Sequence, residues 1–241
     1  MSMEEQLYNS LSEGLRVLGL ELDGHQISQL LDYQALIGKW TKVYNLTAVR
    51  DPAEMLTHHL LDSLAAIAPL QRYLQKAGLE QGSTLLDVGS GAGLPGVVIA
   101  ICCPTVAATC VDTVAKKAAF IKQAALALKL PNLTGLHARV EAIDQPFDVI
   151  CSRAFASLAD FTHWSVGTLA PQGVWMAMKG KRPADELAVL PANIHMFHVE
   201  QLQVPGLDAE RCIVWMRRAD LTRSSGDQGG REFKVSLVFT P

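Results

Sequence analysis

Apolar residues in the first third of the chain recur at helical spacing. Asp23 and Gln26 have the spacing of a capping box, and apolar residues then follow at about every third or fourth position from Ile27 to Tyr44. A second helical stretch is predicted from about residue 53 to residue 77, and Pro69 is expected to bend or interrupt it. The pattern therefore indicates a helical region that ends near residue 81.

Beyond residue 82, short apolar runs alternate with helical stretches. The predicted strands are Thr84 to Val88, Val106 to Asp112, Leu133 to Ala138, Phe147 to Ser152 and Val174 to Met178. Because strands buried on both faces are continuously apolar, the pattern favours a mostly parallel sheet with helices on both faces. Two later runs, Ile194 to Val204 and Cys212 to Met216, could form an antiparallel hairpin at the edge of this sheet.

The chain is predicted to have three parts. Residues 1–81 form a helical extension packed on the core, residues 82–218 form the α/β core, and residues 219–241 form a tail. The tail has a polar, glycine-rich stretch from Arg223 to Arg231 and then a short apolar run from Val235 to Phe239. It is expected to be flexible, to add an edge strand, or to be an artificial addition.

Composition restricts the classes of protein that fit. The 241 residues are 49% hydrophobic and 19% charged, which suits one large folded domain with an appendage and argues against disorder. Lys and Arg number 21 and Asp and Glu number 24, so the formal net charge is -3. A general binder of nucleic acid is usually basic, so any RNA contact here must use local positive charge.

Two further features bear on location and metals. The longest apolar run, Leu94 to Cys103, is too short to span a membrane, and the first ten residues do not resemble a signal peptide. The five cysteines form no C-x-x-C pair and lie mostly in apolar runs. We therefore expect a cytoplasmic protein with reduced, buried cysteines, no metal site and no membrane contact.

A glycine-rich loop carries the strongest chemical signal. In the stretch LLDVGSGAGLPG, which begins at Leu85, a buried strand ends near Asp87 and three glycines follow at alternate positions. Pro95 suits the first turn of a following helix. Ligands bind at the carboxyl ends of the strands in open α/β sheets, so this loop is predicted to bind one.

Two ligands are compatible with this loop. Gly91, Gly93 and Gly96 satisfy G-x-G-x-x-G, and Asp112 follows about 20 residues later, as in a dinucleotide site of a nicotinamide-dependent oxidoreductase. Read from Asp87, the tighter pattern D-x-G-x-G-x-G resembles the first motif of class I S-adenosylmethionine-dependent methyltransferases. In both interpretations Asp112 accepts hydrogen bonds from ribose hydroxyls.

A more specific resemblance extends over roughly residues 5 to 217. The blocks WTKVYNLTAV from Trp40, HLLDSL from His59 and SRAFAS from Ser152, with the glycine loop between the last two, resemble the RsmG (GidB) family. Lys179 and Gly180 continue the match, whereas His58 replaces a more usual arginine. These bacterial enzymes methylate N7 of a guanine in 16S rRNA of the small ribosomal subunit, at position 527 in standard rRNA numbering.

The resemblance implies a fold, a cofactor and a set of cofactor contacts. The fold is a Rossmann-like class I methyltransferase with a seven-stranded, mostly parallel sheet and an N-terminal helical extension, and the cofactor is S-adenosylmethionine. The residues expected to bind it are Asp87, Gly89, Gly91, Gly93, Leu94, Asp112, Val140, Glu141 and Arg153. A small-molecule methyltransferase remains an alternative to the rRNA enzyme, as does the oxidoreductase.

The chemistry implied by the resemblance needs no general base. Guanine N7 carries a lone pair and no proton, so no acid or base is assigned, and Arg153 is a candidate for positioning the substrate. We expect the enzyme to be a monomer without an obligate protein partner, acting on 16S rRNA or on the small subunit. The candidate RNA contacts are Asn45, His59, Lys116, Lys117, Arg139, Phe155, Lys179, Lys181 and Arg182.

Overall fold

The computed structural model describes residues 2–219 of the chain. Its helices are α1 (Met3–Leu18), α2 (Gly24–Tyr44), α3 (Pro52–Met55), α4 (Asp62–Leu64), α5 (Ile67–Ala77), α6 (Gly96–Cys102), α7 (Ala115–Ala127), α8 (Leu158–Ser165) and α9 (Ala184–Ala188). A π-helical turn covers Leu56–Leu61, and 3₁₀ turns cover Val140–Ala142 and Val166–Thr168. The strands are β1 (Thr84–Val88), β2 (Ala107–Asp112), β3 (Leu133–His137), β4 (Phe147–Arg153), β5 (Leu169–Lys179), β6 (Ile194–Leu202) and β7 (Arg211–Arg218).

The strands within this described part form one sheet. Its order is β3-β2-β1-β4-β5-β7-β6, and the pairs among β1 to β5 are parallel. β7 lies between β5 and β6 and runs antiparallel to both. The predicted hairpin is therefore confirmed, but it adds its second strand, not its first, next to β5. The predicted mostly parallel α/β architecture is also confirmed.

Side chains alternate between the two faces of the sheet. Along β1, Leu85 packs with the N-terminal helices, α6 and α7, whereas Leu86 and Val88 pack with α8 on the other face. Asp87 lies next to Cys110 and Cys151 of the neighbouring strands. By this alternation Asp87 belongs to the face that α6 covers.

The helical extension begins as predicted and then departs from the prediction. Asp23 and Gln26 form the capping box that starts α2. The second helical stretch is divided at Ala65 and Ala66, between α4 and α5, whereas Pro69 lies in the first turn of α5. The expected interruption at Pro69 is wrong, because an N–H in the first turn of a helix has no helical partner that proline could remove.

The sequence also raised the questions of a membrane-spanning helix and of a C-terminal tail. None of the helices within residues 2–219 is long and apolar enough to cross a membrane. The tail predicted at residues 219–241 lies, apart from Ala219, outside the described residues.

Candidate active site

Two cavities meet at the glycine loop that follows β1. The arginine cavity, about 470 Å³, is bounded by the loop, by the π-helical turn and by the carboxyl ends of β4 and β5. The Asp112 cavity, about 450 Å³, lies between the carboxyl ends of β1 to β3 and the segment after β4. Gly89 and Ala154 line both cavities, so a single ligand can extend from one into the other.

Gly89 and Gly91 show why glycine is required in this loop. Both have positive φ angles, 66° and 59°. A Cβ at Gly89 would come within 2.3 Å of the Phe155 ring, whereas a Cβ at Gly91 would meet no atom within 4 Å. Gly91 therefore leaves its backbone open to a ligand. Leu94, which was predicted to bind the cofactor, also lines the arginine cavity.

Asp87 and Gly93 support the loop and line neither cavity. The Oδ2 atom of Asp87 accepts a hydrogen bond of 2.8 Å from the Gly96 N–H at the start of α6. Burial raises the pKa of this carboxyl to about 7, partly offset by that N–H. A Cβ at Gly93 would overlap Val97 and Ile121. Asp87 and Gly93 thus support the loop from inside the fold, and their predicted contact with the cofactor stays a prediction.

Asp112 has the position expected of a ribose ligand. Its Oδ2 atom accepts from the Gly91 N–H at 3.0 Å, and its Oδ1 atom accepts from the Val114 N–H at 2.8 Å. A carboxylate has about four acceptor sites, so capacity remains toward the Asp112 cavity. The Lys117 Nζ atom lies 3.6 Å from Oδ2. Lys117 thus lines this cavity and pairs with Asp112, and its predicted contact with RNA stays a prediction.

The far wall of the Asp112 cavity contains the remaining predicted nucleoside contacts. Val140 is buried, and Glu141 is exposed and lies 4.0 Å from Arg139. Phe155 also lines this cavity and makes edge-to-face contacts with Phe161 and Trp164. Phe155 and Arg139, which were predicted to contact RNA, thus both line the Asp112 cavity.

Asp62 joins two arginines at the floor of the arginine cavity. Its Oδ2 atom accepts from Arg153 Nη1 and its Oδ1 atom accepts from Arg211 Nε, both at 2.7 Å. Asp62 is only 4% exposed, and Arg153 also donates to the His58 carbonyl at 3.0 Å. One carboxylate thus serves two guanidiniums, which leaves one positive charge in excess within this group.

His59 precedes this cluster on the π-helical turn. Its Nε2 atom is 2.7 Å from the Thr47 hydroxyl, and both residues line the arginine cavity. Burial lowers the pKa of His59, and the positive charge of Arg153 lowers it further. His59 is therefore neutral at neutral pH, and its hydrogen bond fastens the segment after α2 to the π-helical turn.

Lys179 does not point freely into the cavity. Its Nζ atom donates to both carboxylate oxygens of Glu186, at 3.0 and 2.9 Å, and to the Ala156 carbonyl. Glu186 in turn accepts from the Leu158 N–H at 2.6 Å. The Lys179 ammonium therefore ties β5 to α8 and α9, and its predicted contact with RNA stays a prediction.

The other predicted RNA residues lie around the same edge of the sheet. Asn45 is exposed, ends α2, and accepts from Arg50 Nη2 at 2.7 Å. Lys116, Lys181 and Arg182 are exposed. None of these four residues lines the two cavities.

Sequence reasoning overlooked Arg211. β7 is antiparallel, so its first residue, Arg211, comes to the edge where the parallel strands end, next to Cys212, which pairs with Lys179. Arg217 and Arg218, at the other end of β7, lie at the opposite edge. A charged residue directly before an apolar strand in the predicted hairpin was the available signal.

The two cavities together fit a nucleoside that carries a charged amino-acid group. Asp112 offers acceptors for ribose hydroxyls, and Gly91 lets the backbone approach a ligand closely. Arg153 offers a cation that Asp62 holds in place. These are the groups that S-adenosylmethionine requires. No group of three residues suited to hold a metal ion occurs within residues 2–219.

A third and larger cavity, about 850 Å³, lies in the helical extension. It is bounded by α1, α2 and α3 and is lined by residues such as Leu7, Leu31 and Met55. None of the predicted site residues lines it. Its size therefore does not make it the candidate active site.

Solved structures support the fold. TrmN from Thermus thermophilus is similar with a TM-score of 0.50 and 21% sequence identity, over 65% of this chain and 48% of that chain. At this identity the similarity shows the fold alone. It agrees with the predicted Rossmann-like architecture.

Sequence relatives are much closer. The family model described as rRNA small subunit methyltransferase G (GidB) matches residues 26–214. The ribosomal RNA small subunit methyltransferase G of Polaromonas naphthalenivorans (strain CJ2) is 78% identical over 214 residues, which cover 89% of this chain and 97% of that protein. The protein of the same name from Acidovorax ebreus (strain TPSY) is 66% identical over 88% of this chain and 95% of that protein. The chain therefore belongs to the rRNA small subunit methyltransferase G family.

Proposed function

We propose that this methyltransferase transfers a methyl group from S-adenosylmethionine to N7 of a guanine in 16S rRNA of the small ribosomal subunit. Its family is a methyltransferase family, so the alternative of a nicotinamide-dependent oxidoreductase is excluded. We further propose that it works in the cytoplasm as a monomer. Within the chain, the helical extension and the sheet share one hydrophobic cluster, so we propose that these two parts fold as one unit.

S-adenosylmethionine supplies a methyl group that its sulfonium has already activated. The chain's own task is therefore to bind and position. In this proposal Asp112 accepts the ribose hydroxyls, and Val140 and Glu141 face the adenine. Arg153 and the loop at Gly91 hold the amino-acid part.

We assign guanine N7 as the methyl acceptor because titratable groups in the arginine cavity are already engaged in hydrogen bonds and ion pairs. Asp62 has both carboxylate oxygens engaged by arginines, and Lys179 is engaged by Glu186. The Nε2 atom of His59 is engaged by Thr47, and its Nδ1 atom is buried. These three groups are therefore not free to remove a proton from a hydroxyl or an amino group, and the exposed His58 is the remaining imidazole among the described residues that line this cavity. An acceptor with a lone pair and no proton, such as guanine N7, needs no base.

The experiment is to map N7-methylguanine in 16S rRNA from cells that lack this gene. We expect the modification to be lost at one position and restored by the wild-type gene. Restoration by Arg16→Gln, which changes an exposed arginine far from the site, is the matched control. Arg153→Gln should fail to restore it although the protein accumulates normally. Full retention of the modification in the deletion strain would refute the proposal and favour a small-molecule substrate.

A further inference from the structure

A ladder of aromatic side chains connects the protein surface with the glycine loop. Tyr44 packs on Trp40 with ring centroids 5.0 Å apart, and Trp40 packs edge-on against Phe120 at 5.3 Å. Phe120 stacks with Tyr33 at 6.4 Å. The Tyr33 hydroxyl donates a hydrogen bond of 2.6 Å to the Ala92 carbonyl within the loop. Tyr44 is thus the outer end of a fixed column whose inner end is the loop.

Tyr44 lies close to the arginine cavity along the chain. It is the last residue of α2 and 42% exposed. The chain then turns at Asn45, which has a φ of 51° and is held by Arg50. The next two residues, Leu46 and Thr47, line the cavity. Tyr44 therefore precedes a segment of the cavity wall by two residues in the chain.

An exposed lysine lies on the same side of α7 as the ladder. Lys116 precedes Phe120 by four residues, so the two side chains share one side of that helix. An exposed aromatic ring combined with a lysine is an arrangement that binds single-stranded nucleic acid, because the ring stacks on a base and the lysine attracts phosphates.

We propose that Tyr44 stacks on an unpaired base of the rRNA that flanks the methylated guanine. Sequence-specific RNA recognition usually uses unstacked bases, and base–aromatic stacking tolerates any base. The ladder holds the ring before RNA arrives, so little side-chain entropy is lost on binding. This proposal rests on the proposed function, since it takes the rRNA as the substrate.

The test measures binding of small ribosomal subunits from cells that lack this enzyme. Tyr44→Ala should raise the Kd for these subunits about tenfold, within the range for one lost base stack, while Tyr44→Phe stays within about twofold of wild type. Val43→Ala removes a neighbouring side chain that is 69% exposed and should have no effect. The Kd for S-adenosylmethionine and the thermal midpoint should be the same in all variants.

The outcomes separate this proposal from its alternatives. An unchanged subunit Kd in Tyr44→Ala, or an equal loss of S-adenosylmethionine affinity, would overturn it, because the ladder would then only support the loop. Ultraviolet crosslinking of the wild-type complex should attach a nucleotide to Tyr44. A crosslink to a ribosomal protein, or none at this residue, would also overturn it. Binding requires no methyl transfer, so Tyr44-dependent binding without methylation would refute the proposed function alone.

Discussion

At the scale of single residues, Asp62 holds two arginines of the candidate active site. Its carboxylate is nearly inaccessible and holds Arg153 from β4 and Arg211 from β7. Removing one partner of a buried ion pair costs more than the pair itself contributes, because the remaining charge stays buried without compensation. Asp62 is therefore the residue that fixes both guanidiniums.

Asp62→Asn should destabilise the protein by about 3 kcal/mol and lower the rate of methyl transfer. Urea unfolding followed by circular dichroism measures the first effect. Glu13→Gln, which breaks the exposed pair with Arg16, is the control and should leave the unfolding midpoint unchanged. An equal, small effect of both substitutions would show that the Asp62 cluster is not a buried ionic network.

Asp87 predicts a dependence of stability on pH. Burial raises its pKa from 3.8 to about 7, so the folded state favours the protonated form. The stability that this proton provides is complete below about pH 4 and is lost as the pH rises through 7.

Asp87→Asn cannot ionise, so this part of the pH dependence should disappear. Between pH 5 and pH 8, the wild-type free energy of unfolding should fall by about 2 to 3 kcal/mol relative to that of the variant. Urea unfolding of both proteins at these two pH values measures the difference. Parallel pH profiles would mean that Asp87 is ionised in the folded protein and that burial does not control it.

At the scale of elements, close helix–sheet packing depends on Gly135 of β3. A Cβ there would come within 2.9 Å of the Ala118 carbonyl and of Ile121, both on α7. Gly38 in α2 is the opposite case, since its Cβ would meet no atom within 4 Å.

Gly135→Ala should destabilise the protein by about 1 to 3 kcal/mol, because α7 must move away from the sheet. Gly38→Ala should stabilise it by up to about 1 kcal/mol, because alanine favours the helix and fits without contact. Thermal unfolding of the two variants shows whether each substitution raises or lowers the stability. If Gly38→Ala lost as much stability as Gly135→Ala, the space described at these two glycines would not control the stability.

Element positions were predictable where one segment carries its own signal. The strands were located because each is an apolar run bounded by turn residues, and the start of α2 was located because Asp23 and Gln26 form a capping box. The hydrogen bond from Arg211 to Asp62 was not predictable, because it joins residues that are 149 positions apart in the chain. The direction of β7 decided which of its arginines reaches the site, and local sequence does not encode that direction.

At the scale of the whole molecule, a net charge of -3 requires selective contact with RNA. Much of the positive charge near the site is already used, because Arg153, Lys179 and Arg211 pair with carboxylates. Lys181 and Arg182 are exposed after β5 and have no ion pair within residues 2–219, so we propose that they contact phosphates of the RNA.

The double variant Lys181→Gln and Arg182→Gln should reduce the slope of log Kd against log salt concentration by about 1 to 2 for binding of small subunits. The affinity for S-adenosylmethionine should not change. Lys129→Gln, an exposed lysine just before β3 and so at the opposite edge, is the control. An unchanged slope in the double variant would remove these two residues from the RNA surface.

The most direct measurement of the central claim is methyl transfer by the purified chain. The reaction contains S-adenosylmethionine with a labelled methyl group and small ribosomal subunits from cells that lack this gene. We expect about one labelled methyl group per subunit, recovered from 16S rRNA as N7-methylguanine at a single position. Label on another atom or in another molecule, or no transfer to the rRNA, would contradict it.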